Sequence, residues 1–180
     1  MRITLLTARL LRLETGSFTD LPTQTVWNRE FPKVRCTWAQ EGRIFTLKTV
    51  ECIFRIDVAN CKMLSVTLKD GTRVTDFEKG NLLGTARTLD MVNGAAKLGK
   101  GILSRSGVAV MDDSESLQLD DRGQILPRET CSDLYFFAHG HDYRGALQDF
   151  FRLTGPVPLI PKYALGNWWS RYKAYTQEEY

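Results

Sequence analysis

No stretch of the 180 residues is apolar for long enough to cross a bilayer. The chain opens with a cation and then apolar residues, Met1-Arg2-Ile3-Thr4-Leu5-Leu6, as a leader would. Arg9 and Arg12 interrupt that run too early for a signal sequence, so residues 1–12 read as a strand. The sequence therefore predicts a cytoplasmic protein without a membrane partner. A basic cluster is also missing. Net charge is +3, and Arg2, Arg9, Arg12, Arg29 and Arg35 are scattered among apolar and acidic neighbours. Nucleic-acid binding calls for clustered cations with interleaved aromatics, so no nucleic-acid partner is expected. No C-x-x-C spacing occurs among Cys36, Cys52, Cys61 and Cys131. Zinc would need paired short spacings, so reduced and mostly buried thiols are the expectation; spacing alone leaves disulfides open. Repeats and low-complexity segments are absent as well. So are the phosphate-cradling glycine patterns and the G-x-S-x-G nucleophile elbow, and no cofactor is implied.

What is present is β structure. Cys52, Phe54, Ile56 and Val58 alternate with Ile53, Arg55 and Asp57, a half-buried strand. Leu64, Val66 and Leu68 repeat the pattern and run into Asp70-Gly71, a hairpin turn. Leu117 and Leu119 lead into a second turn at Asp120-Asp121-Arg122-Gly123. Val108–Met111 and Leu134–Phe137 are apolar runs suited to buried strands. Short strands punctuated by turns predict a sandwich over residues 1–138.

Residues 72–104 hold no period, and a loop of that length is uncommon unless functional or disordered, so the stretch is a functional-loop candidate. One helix follows. Asp142 is its N-cap, Tyr143, Ala146, Leu147, Phe150 and Phe151 form one apolar face, and Gly155-Pro156 ends it. Pro156, Pro158 and Pro161 stiffen a linker. Residues 161–172 then read as a buried strand leading into a loop, and Thr176-Gln177-Glu178-Glu179 has the form of a capping box. A strand followed by a helix start at the very end of the chain predicts a larger protein continuing beyond it.

Candidate chemistry is sparse. His139 and His141 could share a metal if both lay on a strand, but no third ligand is near, and a role at the start of the helix is expected instead. Asp112-Asp113 and Asp120-Asp121 are adjacent pairs. Glycoside hydrolysis needs two carboxylates held about 5–10 Å apart on rigid elements, whereas neighbours on a strand face opposite ways, so turn formation is the better account. Trp168, Trp169, Tyr172 and Tyr175 form an aromatic cluster, equally suited to core packing or to stacking on a sugar.

Several motifs recur in a familiar order. They are Leu21–Arg29, then Asn81-Leu82-Leu83-Gly84-Thr85-Ala86-Arg87-Thr88-Leu89-Asp90, Gly101–Gly107 and Asp112-Asp113-Ser114. Asp133–Phe137, Asp142-Tyr143, Leu153-Thr154-Gly155, Pro158–Gly166 and Ser170-Arg171-Tyr172 complete the set. In this order they resemble the N-terminal region of glycoside hydrolase family 31, the α-glucosidase and α-xylosidase family. The resemblance implies a galactose-mutarotase-like β-sandwich, then one helix and a proline-rich linker over 139–162, then the first strand of a truncated catalytic (β/α)₈ barrel over 163–180. It implies a retaining α-glycosidase in carbohydrate metabolism, with an α-linked glucoside or xyloside as substrate. One Asp would act as nucleophile and a second as general acid and base. Both carboxylates would lie beyond Tyr180, so the resemblance places no catalytic residue in this chain and implies that it is inactive alone.

Three residues map to substrate contacts by that resemblance. Tyr175 would offer its ring to the sugar at the cleavage point. Arg87 and Asp90, in a sandwich loop reaching over the barrel mouth, would hydrogen-bond sugar hydroxyls, or else pair with each other to order the loop. Lys173 departs from the bulky aromatic usual there. The alternative to a hydrolase portion is a stand-alone sandwich that binds carbohydrate or a protein partner. Glycosidic linkage, sugar and oligomeric state stay open at this level.

Overall fold

A computed structural model of the chain describes residues 1–84, 92–167 and 173–179. The strands in chain order are β1 (Arg2–Thr7), β2 (Leu10–Gly16), β3 (Thr37–Glu41), β4 (Ile44–Lys48), β5 (Cys52–Asp57) and β6 (Lys62–Leu68). They continue with β7 (Arg73–Val74), β8 (Ala109–Asp112), β9 (Gln118–Leu119), β10 (Ile125–Leu126) and β11 (Cys131–Phe137), followed by helix α1 (Tyr143–Thr154). One sheet runs β1-β2-β11-β8 and the other β3-β4-β5-β6-β7, with β9 and β10 forming a separate hairpin. All pairings are antiparallel. The expectation of a mainly β fold with one helix holds.

The two sheets share a core. Leu11, Leu13 and Phe136 from the first meet Leu47, Phe54, Ile56 and Val66 from the second. The first sheet is buried on its other face as well. There Leu6, Leu10, Tyr135 and Phe137 pack with Val26 and with Leu153 of α1. Period-two alternation sends Tyr135 and Phe137 to one face and Phe136 to the other. A strand buried on both faces reads as a continuous apolar run, as Leu134–Phe137 does.

Several expectations change in detail. Residues 1–12 form a hairpin rather than one strand, with Ala8 and Arg9 in the turn between β1 and β2. Arg9 closes it by donating to Asp142 Oδ2 at 2.6 Å and Glu51 Oε2 at 3.1 Å. In β6 the alternation breaks at Leu64. Arg55 pairs with Ser65 but Ile56 pairs with Met63, so Leu64 is the extra residue of a bulge and Met63 enters the core. The turns at Gly71 and Gly123 form as expected, with φ of 89° and 77°.

Helix α1 starts where the capping rule puts it: Asp142 Oδ1 accepts from Gly145 N at 3.0 Å. It ends at Gly155, whose φ is 83°. Its buried face is rotated from the expected one. Ala146 and Leu153 are buried and Phe150 packs beside them, while Leu147 and Phe151 sit partly in solvent.

The strand expected over residues 161–172 is not found in the part described. Lys162–Leu165 forms one 3₁₀ turn, with Ala164 N donating to Pro161 O at 2.9 Å. Tyr163 and Leu165 are exposed. The physical reason is pairing. A strand needs a neighbour for its backbone groups, and among the described residues no strand lies beside this segment, so the chain closes a local turn instead. Residues 168–172 lie outside the described residues.

Candidate functional site

Arg87 and Asp90 fall within 85–91, outside the described residues. The stem of their loop is described and is firmly anchored. Asn81 spans it, donating through Nδ2 to Gly101 O at 2.8 Å and accepting from Gly101 N at 2.9 Å. Leu82 N donates to Leu103 O at 2.9 Å and Arg105 N to Gly80 O at 2.8 Å. Glu78 and Lys100 pair across the two sides. Residues 78–84 and 99–105 are therefore two sides hydrogen-bonded to each other.

Tyr175 is 43% exposed and the Lys173 ammonium lies 5.4 Å from its ring centroid. That contact occupies one face of the ring with a cation. Lys173 Nζ also donates to Glu179 Oε1 at 2.6 Å. Glu179 turns back to accept from Thr176 N at 3.1 Å, the acidic half of the expected capping box. Before this lies an arm of exposed apolar residues, with Leu159 fully exposed and Val157, Tyr163 and Leu165 largely so. Trp168, Trp169 and Tyr172 lie outside the described residues.

The strongest charge cluster was not singled out in the sequence. Arg2, Arg12, Arg29 and Arg128 interleave with Glu14, Asp20, Asp113 and Asp133 on the outer face of the β1-β2-β11-β8 sheet. Arg12, Glu14, Asp113 and Asp133 are each 1% exposed or less. Arg12 grips Asp133 with two bonds, Nε to Oδ1 at 2.8 Å and Nη2 to Oδ2 at 2.7 Å. Arg128 Nη2 adds a third at 2.8 Å. Burial alone would push the Asp133 carboxyl up, but the hydrogen bonds and charge of Arg12, with Arg128, hold it below its ordinary value.

Asp113 accepts from Thr23 Oγ1 at 2.9 Å, with Arg29 Nη2 at 3.3 Å. Burial is its largest influence and raises it above the ordinary value, despite the hydroxyl bonds and Arg29. The cluster clamps residues 17–31 over the sheet. Arg2 and Arg12 both donate to Thr19 O, and Arg29 Nε donates to Tyr135 Oη at 3.0 Å. Every carboxylate that is buried here is already engaged. Such groups hold a fold together and cannot reach a substrate.

Of the adjacent carboxylates, Asp112 and Asp120 behave as turn formers and Asp113 does not. Asp112 Oδ1 accepts from Ser114 N at 2.9 Å, and Asp120 Oδ1 from Arg122 N at 2.9 Å and Gln124 N at 2.7 Å. His139 and His141 take separate partners. His139 Nε2 meets Asp149 Oδ2 at 3.0 Å, and His141 Nε2 meets Arg105 O at 3.2 Å. Among the described residues no group of three or more His, Cys, Asp or Glu is placed to hold a metal. All four cysteines are free thiols, but only Cys52 is buried, and burial pushes its thiol up to about 12. No helix among the described residues is long and apolar enough to cross a membrane.

No family model matches the sequence, and no curated protein does. The fold is similar to a glycoside hydrolase family 31 dextranase of Flavobacterium johnsoniae, solved with isomaltotriose bound. The TM-score is 0.52 at 15% sequence identity. The match covers 91% of this chain and 26% of the dextranase, so the chain spans about a quarter of that protein's length.

Proposed function

We propose that the chain is the N-terminal sandwich portion of a retaining α-glycosidase of the family 31 kind, acting on an α-linked glucoside or xyloside in the cytoplasm. The observation that carries this reading is a fold likeness running through 91% of the chain, to a segment of a much longer glycoside hydrolase. The ordered motifs from Leu21–Arg29 to Ser170-Arg171-Tyr172 support it independently. This reading is supported by the carboxylates singled out in the sequence, because Asp113 is buried in an ion pair and Asp112 and Asp120 hold turns. Nucleophile and acid/base then belong to a following barrel, with the exposed apolar arm at 157–165 packing against it.

In this reading Tyr175 contributes to the sugar subsite once Lys173 is drawn off its ring, and Arg87 and Asp90 contact sugar hydroxyls from the loop tip. The purified chain should give no turnover of an aryl α-glucoside above the buffer rate. Turnover by the chain alone would overturn the assignment of the acid pair to another segment. The competing module reading is separated by removing residues 156–180. Retained fold and improved solubility support an arm that belongs against a barrel; loss of sugar binding with stability unchanged supports a stand-alone module.

A further inference from the structure

An apolar opening beside the stem of the 72–104 loop lies apart from Tyr175 and from the buried charge cluster. It is a cavity of about 630 Å³ between the β8 edge of one sheet and the β5–β6 turn and the segment after β7 of the other. That size is ordinary for a small-molecule site, typically 300–1,000 Å³. Its floor is apolar: Met63, Val110, Phe77 and Phe136, the last two meeting edge to face with centroids 5.4 Å apart. Its rim is charged. Lys62 stands on one side, Asp112 on another, and the Glu78–Lys100 pair closes a third.

The rim decides what could enter. Two cations and two carboxylates balance, so a ligand with net charge gains from one pair what it loses to the other. A neutral head rich in hydroxyls avoids that conflict. Its hydroxyls donate to Asp112 and Glu78 and accept from Lys62 and Lys100, with charge-assisted bonds in both directions. The apolar floor asks for a hydrocarbon body below that head.

We propose that this cavity binds a neutral polyhydroxylated amphiphile, a glycoside with an apolar aglycone. The site shares Glu78, Lys100 and Gly101 with the stem of the 72–104 loop but includes none of Arg87, Asp90 and Tyr175, the residues the hydrolase reading assigns to substrate.

The test is a titration of the 180-residue chain, labelled at its methionine methyls, with octyl β-D-glucopyranoside below its micelle concentration. Met63 lines the cavity and Met1 does not, so the Met63 resonance should shift saturably while Met1 stays put. Octanoate and octylammonium, which share the chain but carry charge, should bind about tenfold more weakly, the scale of one charge-assisted bond. Val110→Trp should fill the opening and abolish the shifts in a folded protein. Asp112→Asn removes one carboxylate from the rim, and it should weaken the glucoside while improving octanoate. That exchange of preference would not follow from a merely structural role, and it decides the matter should Val110→Trp fail to fold. Equal binding of all three probes would overturn the proposal. So would shifts surviving in folded Val110→Trp, or no saturable shift at all. A failure here leaves the glycosidase reading standing, because turnover of an α-glucoside does not pass through this cavity.

Discussion

Arg12 and Asp133 set the stability of the first sheet's outer face. Their two-point contact is fully buried and is the centre of a network that also takes in Glu14, Asp20 and Arg128. Removing Asp133 leaves Arg12 with Glu14 and Asp20 alone and takes from Arg128 its nearest carboxylate, so a buried excess of positive charge remains; breaking a buried pair costs about 3–5 kcal/mol. Asp133→Asn should therefore lower the urea-unfolding free energy by that order. The pH dependence has a definite sign. The folded Asp133 carboxyl lies below its unfolded value of about 4, so its contribution is complete above that value and is lost as pH falls through the folded one. Melting temperature should drop on acidification below about pH 4 in the native chain, and less steeply in Asp133→Asn. Equal acid slopes would show that Asp133 is not the responsible group. None of this was legible in sequence. Arg12 and Glu14 look like solvent-facing breaks in an apolar strand, and the partner of Arg12 lies 121 residues away. Only the fold reveals that residues 17–31 cover that face.

Elements were easier to read than their exact faces. The capping aspartate, the helix span and the closing glycine of α1 follow from local chemistry, and all three appear in the structure. The buried stripe was misjudged because Leu147 and Phe151 fit the period as well as Leu153 does. Periodicity fixes an angular range, and the outer sheet face selects within it. Leu153 is fully buried and Leu147 is 39% exposed. Leu153→Ala should accordingly cost about 2–5 kcal/mol of stability. Leu147→Ala should stay within about 0.5 kcal/mol, the range of ordinary surface changes. Denaturant midpoints for the two variants check this, and equal losses would restore the original stripe. The β6 bulge is a similar case. Alternation across Leu64, Val66 and Leu68 holds only for the last two, because one inserted residue reverses the faces before it. The turns at Asp70-Gly71 and Asp120–Gly123 needed no tertiary information, since glycine at positive φ marks them locally.

At the scale of the molecule, two sheets, a covering helix and an apolar arm make a body similar in fold to part of a much larger hydrolase. The mainly β architecture was legible because strands and turns are local signals. The proposed function was not legible from residue chemistry, since Asp112 and Asp120 hold turns and Asp113 sits in an ion pair; it came from the order of motifs. The tail was read as a strand because its composition is apolar, but composition cannot supply the neighbouring strand that would pair with it. That neighbour is what the proposal places in the following barrel. The most direct test is to express the chain together with the continuation of its reading frame and to follow an aryl α-glucoside by NMR. The account predicts hydrolysis that releases the α-anomer first, as retention requires, from a continuation carrying two essential carboxylates. A frame without such a continuation, or an extended protein that leaves α-glucosides untouched, would contradict it.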